Sequence, residues 1–237
     1  MRAKQIKKYV ILGVLFLLPV MFVLVLSLSK DHYNPLDIIN ENVVELPQNE
    51  HNIMLQDHIT VLAFFGNKPI DMAIAASNLK ELVYDKFKGF KKFQIVALIP
   101  NGAEAEAEIL FKEIARYEDL RFWHFVSVDE TAIKNTFNSL KANFSLSDNL
   151  ASDNVFIIDT ERNQRGRTDD RSDNEKGSNK PVYELNAYNC IQVAVIKNKM
   201  SSEDLRVLFT EYRQKRKGNF DSETRRANEL KPSSNEQ

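Results

Sequence analysis

Val61–Leu82 reads VLAFFGNKPIDMAIAASNLKEL. An uninterrupted apolar run closes on two phenylalanines, a short turn follows with Gly66 and Pro69, and then apolar residues recur at helical spacing. This is a strand, a tight turn and an amphipathic helix, and the strand-to-helix junction is where many α/β proteins place their reactive groups. Whether this junction is reactive depends on which side chains occupy it.

The same alternation continues on both sides. Runs rich in aromatic and β-branched residues predict strands at Ile59–Phe65, Phe93–Ile99, Arg121–Val128, Val155–Asp159 and Ile191–Ile196. Several are apolar at nearly every position, as expected of central strands covered on both faces. Helical stripes lie between them. One runs Met72, Ala75, Ala76, Leu79, Leu82, Val83 and Phe87, a second runs Ala107, Leu110, Phe111, Ile114 and Tyr117, and a third, Ile133, Phe137 and Leu140, follows Asp129 as an N-cap. Near the end, Ser201 with Asp204 reads as a capping box. It opens a helix that buries Leu205, Leu208, Phe209 and Tyr212 and closes on Lys215, Arg216 and Lys217 before Gly218. The order of elements predicts an α/β sandwich around a mixed central sheet.

Ahead of it, Tyr9–Leu28 spells YVILGVLFLLPVMFVLVLSL, an uncharged run of about the length that crosses a bilayer as a helix. Pro19 is tolerated in that setting. A cleaved signal peptide is the competing reading, but its apolar core is shorter and ends in small residues. Arg2, Lys4, Lys7 and Lys8 precede the run and Lys30 follows it, which orients the N-terminus to the cytoplasm and the domain outward. The expected organisation is a cytoplasmic segment 1–8, an anchor 9–28, a polar spacer 29–58 with an edge strand at Asn42–Leu46, a domain 59–218 and a disordered tail 219–237.

Arg162–Lys180 is read as a long surface excursion, with arginines and aspartates interspersed and no large apolar residue. Arg162, Arg165, Arg167, Asp169, Asp170 and Arg171 make it a candidate partner-binding loop, and plain solvation is the alternative. Asp169, Asp170, Asp173 and Glu175 lack the spacing of a calcium loop.

The net charge of −1 argues against a nucleic-acid partner. Cys190 is the single cysteine, so the domain forms no internal disulfide, and its IQVAVI context reads as a small residue buried in a strand. His32, His51 and His58 are scattered in sequence, and His124 reads as a strand histidine bonded locally. No phosphate-binding, dinucleotide-binding, serine-hydrolase or zinc-protease motif is present. Asn143-Phe144-Ser145 fits a glycosylation sequon.

The anchor, the strand ending in FF, the turn carrying a proline and the order of elements resemble the Sco/SenC family. These are thioredoxin-fold copper proteins that assist assembly of the cytochrome oxidase copper site. The resemblance spans roughly Val43–Arg216 and implies a thioredoxin-like sandwich. In that family FF is followed by C-x-x-x-C with an internal proline. Here the cysteine positions fall on Lys68 and Met72 and the proline on Pro69. The family's histidine ligand lies late in the domain, and no histidine follows His124. The resemblance is therefore to a degenerate member without its thiolate and imidazole ligands, the groups that redox and Cu(I) chemistry require. The expected function is a non-enzymatic interaction or assembly subunit of a respiratory complex, with no resident cofactor. Two alternatives are a copper chaperone with a rearranged site around Met72 and a thiol enzyme using Cys190 alone.

Overall fold

The computed structural model describes residues 2–28 and 35–216. His32, the remainder of 29–34, Lys217, Gly218 and the tail expected over 219–237 lie outside the described residues. The chain divides into two units, 1–34 and 35–237.

In the first unit, α1 is a helix over Arg2–Leu28 with Pro19 inside it. The side chains described without a break run from 11 to 25, and all are exposed except the half-buried Gly13. Among the described residues no helix is long and apolar enough to cross a membrane.

The second unit opens with β1 (Asp37–Asn40) and β2 (Ile59–Phe65). A helical segment follows in pieces: one tight turn at Pro69–Met72, α2 (Ala73–Leu79), a wide turn at Lys80–Tyr84, and α3 (Asp85–Phe87). Next come β3 (Phe93–Pro100), α4 (Glu104–Ile114), β4 (Trp123–Val128) and α5 (Glu130–Asn138). The chain ends with β5 (Ala151–Ile158), β6 (Gln164–Gly166), α6 (Asp173–Gly177), β7 (Tyr188–Asn189) and a helical segment of wide turns, Val195–Asp204, running into α7 (Leu205–Arg216).

The strand order is β1-β6-β5-β2-β3-β4, with β7 pairing β5. β2, β3 and β4 run parallel, whereas β5 runs antiparallel to β2 and β6 to β5. The sheet is therefore mixed, as expected. β2 and β3 are buried at every position because both faces are covered. Alternate side chains feed separate cores. Val61, Ala63 and Phe65 join Leu79, Leu110 and Phe209 on one face. Leu62 and Phe64 join Ile133, Phe137 and Val43 on the other.

Four expectations are corrected. The edge strand is Asp37–Asn40, paired to β6, and not Asn42–Leu46. Val43 is buried by packing on the second core, its N–H donating to the Arg162 carbonyl at 2.9 Å. Ile191–Ile196 is not a strand, since helical turns begin at Val193. Its branched residues mimic a strand, but Ile191 and Val193 are exposed while Ile196 is buried, and Ile196 and Met200 start a helical stripe. Ser201 and Asp204 do not cap a helix either. Both lie inside that segment and are fully buried, Ser201 Oγ donating to the Leu82 carbonyl at 2.6 Å.

The fourth correction concerns 162–180, which is not a free excursion. Gln164–Gly166 is a strand with all three residues buried, and Asp173–Gly177 is a short helix opened by a Ser172–Glu175 capping box.

Candidate functional site

β2 delivers the chain to the junction and Gly66 turns it. Gly66 has φ +64°, and a Cβ there would sit 2.1 Å from the Asn149 carbonyl oxygen. Only glycine fits. The Asn67 N–H then donates to the same oxygen at 2.9 Å, which ties the turn to the segment before β5. Lys68 occupies the N-cap position without a side-chain capping bond, and Pro69 fills the first turn, where its missing N–H costs nothing.

The three residues at the resembled ligand positions are thus brought together, with different exposures. Lys68 is exposed, while Pro69 and Met72 are buried, Met72 within the main core. An ammonium and a packed thioether stand where two thiolates would be required. A protonated lysine cannot ligate a metal, the Met72 thioether is a single soft donor packed in the core, and without a cysteine at either position this corner forms no disulfide.

Beside this corner lies an apolar surface. Ile70 and Ile74 are 37% and 64% exposed, and Ile191 and Val193 are 38% and 50% exposed. Asn78 of α2 joins the two segments, its Nδ2 donating to the Cys190 carbonyl at 2.9 Å.

Cys190 itself is fully buried, just beyond β7. Its Sγ donates to the Asp153 carbonyl at 2.8 Å. Burial, with the nearby Asp153 charge, pushes the thiol up to about 12. It is a packing residue held away from the thiolate form.

His124 lies on β4, opposite Val96 of β3 and two strands from β2. It does not reach the junction. Burial, then the neighbouring His51 and His58, lower its pKa to about 4. The histidines of the spacer are therefore close to His124 in space, contrary to their spacing in sequence. Among the described residues no cluster of three or more metal-ligating side chains occurs.

The candidate binding loop is largely engaged internally. Arg165 is 2% exposed and binds Asp159 at 2.9 Å, Glu211 at 2.6 Å and the Leu36 carbonyl at 3.0 Å. Arg167 Nε donates to Asp204 at 2.8 Å, and Asp204 also accepts from the Tyr188 hydroxyl at 2.6 Å. Burial raises the Asp204 pKa against the pull of Arg167 and Tyr188. Burial, more than the Asp204 charge, raises the Tyr188 hydroxyl well above its ordinary value.

Asp170 pairs with Lys199 at 2.9 Å, and Arg171 grips Asp169, whose pKa falls to about 2 through that bond. Arg162 Nε donates to the Gln56 side chain at 3.1 Å and Nη1 to the Val43 carbonyl at 3.3 Å. The sequence did not indicate this network, because the partners at Asp204 and Glu211 are remote along the chain.

No family model matches the chain, and no curated protein matches it. Among solved structures it is similar to Sco/SenC proteins. A SCO1/SenC family lipoprotein from Bacillus anthracis str. Ames is 12% identical with TM-score 0.41, covering 56% of this chain and 86% of that one. The soluble domain of Sco1 from Bacillus subtilis is 13% identical with TM-score 0.40, covering 71% and 91%. A thiol:disulfide interchange protein from Bacteroides sp. is 14% identical with TM-score 0.37, covering 54% and 79%. These are distant likenesses, and the functional reading below rests on the junction's own residues.

Proposed function

We propose that this chain is a membrane-anchored interaction or assembly protein with no catalytic chemistry of its own. Its domain lies on the outer face of the membrane, which is the periplasm in a two-membrane bacterium. Its partner is a respiratory complex of the cytochrome oxidase type. The observation that carries the reading is the junction after β2. It keeps a glycine-dependent turn and a proline-led helix start, yet presents Lys68 and the buried Met72 where thiols would act.

The buried Cys190, with its pKa raised to about 12, supports the absence of thiol chemistry elsewhere. The apolar surface of Ile70, Ile74, Ile191 and Val193 beside the junction supports a binding role. Anchoring is supported by α1, whose described side chains from 11 to 25 are apolar and exposed on all sides. The four cationic residues before Tyr9 support the orientation.

The test is a mild-detergent pull-down of the tagged full-length protein from its native membranes, with partners identified by mass spectrometry and copper measured on the same eluate. Stoichiometric recovery of respiratory subunits without copper on this chain is the expected result. Copper bound to the chain with no partner recovered would overturn the reading.

A further inference from the structure

Two features meet at β4. Among the described residues it is the last strand of the sheet, and a cleft of about 620 Å³ runs along it, between α4 and the turn at residues 49–51. In a parallel ladder, alternate residues turn their backbone groups to one neighbour. Phe122 and Val128 present their carbonyls toward β3, accepting from Ile95 and Asn101. Trp123, Phe125 and Ser127 therefore face the other way. The Trp123 N–H is taken by the Leu120 carbonyl at 3.0 Å, which leaves Phe125 and Ser127 with outward backbone groups.

An edge of six residues without proline or lysine is an open template for another strand. The cleft wall holds a further unmet group: Trp123 is 3% exposed, and its indole N–H has no acceptor among the described residues.

The charge of the cleft selects what fits. Glu50, Glu104 and Glu108 line it, and among the described residues no lysine or arginine does. Glu108 is paired with Lys112 at 2.6 Å. Glu104 is kept ionised by bonds from the Ser127 hydroxyl and the Gly102 N–H. We propose that the β4 edge is a docking site for an extended, basic segment of a protein partner, which adds a strand beside Phe125 and Ser127 and sets its cationic side chains against these carboxylates. A second copy of this chain is the wrong occupant. Its own β4 would bring the same three carboxylates against their equivalents, and WHFVSV offers no cation in return.

The inference rests on the reading of the chain as an interaction protein and adds a surface remote from the junction. Its test uses the single tryptophan, Trp123, as the reporter. Full-length protein in neutral detergent is titrated with a capped eight-residue Lys-Val alternating peptide, and with a Glu-Val peptide as control. The Lys-Val peptide should shift Trp123 emission saturably, and the Glu-Val peptide should not. The double variant E50K/E108K, changed at two exposed positions, should weaken binding at least tenfold, with thermal unfolding lowered by no more than about 2–4 °C for the lost Glu108–Lys112 pair.

No emission shift, equal response to both peptides, or unchanged affinity of the double variant would overturn the proposal. So would sedimentation showing a dimer that the peptide dissociates, since a second copy would then hold the edge. Failure here leaves the native-membrane pull-down standing as a separate result, because that assay reads partners on any surface.

Discussion

Arg165 and Glu211 meet at 2.6 Å with both side chains inside the protein, one on β6 and the other on α7. The pair fastens the C-terminal helix to the edge of the sheet, and Asp159 at 2.9 Å completes it. A buried pair of this kind adds little over an apolar substitute, but removal of one member strands the others.

Arg165→Ala should therefore lower stability by about 3–5 kcal/mol, as measured by urea unfolding. Glu211→Gln keeps an acceptor for Arg165 and should cost about half as much or less. Equal, small losses for both would mean that water already reaches the network.

At the junction, the relation between Gly66 and Asn149 makes a sharper demand. A Cβ at 2.1 Å from the carbonyl oxygen cannot be accommodated without moving the turn, and φ +64° adds backbone strain of about 1–3 kcal/mol. Gly66→Ala should cost at least about 2 kcal/mol of stability. Gly102→Ala, at φ +98° with open space around it, should cost less. Thermal unfolding of the two variants side by side tests the difference, and equal losses would show that the contact with Asn149 is soft.

The central strands were readable because burial on both faces leaves an unmistakable apolar run, as in β2 and β3. The mixed α/β fold class follows from those two runs, and the absence of cysteine from the turn after β2 is read directly from its residues. IQVAVI misled for the opposite reason. Four branched residues in six positions fit either period, and only the tertiary placement of Ile196 and Met200 against the core decides for a helix. Arg165 was invisible as a core residue because local sequence cannot reveal a charge whose partners arrive from Glu211 and the Leu36 carbonyl. The same limit hid Asp204, which local pattern offered as a cap and packing made the acceptor of Tyr188 and Arg167. His51 and His58 show the limit again, distant from His124 in the chain and near it in space.

Cys190 gives a chemical test of the non-enzymatic reading. With the thiol pushed from an ordinary value of 9.0 to about 12, thiolate at neutral pH falls about a thousandfold. A disulfide thiol probe should label the native protein at least about a hundredfold more slowly than the protein unfolded in urea. Rapid labelling of the native state would reopen the single-thiol alternative. The same shift has a consequence for stability. Because the unfolded thiol ionises first, this group's contribution is intact below pH 9 and declines as the pH rises from 9 toward 12.

His124 acts at the acid end. Its pKa in the fold is about 4, against 6.5 for the free side chain, with burial as the largest cause and His51 and His58 adding to it. Between those values the unfolded chain binds a proton that the native chain refuses, so stability rises with pH through this window. The contribution is fully present above pH 6.5 and is lost as the pH falls toward 4. From pH 7 to pH 5 the native state should lose about 1–2 kcal/mol from this group, after allowance for its partial exposure. His124→Gln has no such proton to take up. Its urea midpoint should therefore vary less over the same interval, even if the variant is less stable at pH 7. A parallel pair of curves would assign the acid sensitivity to other groups.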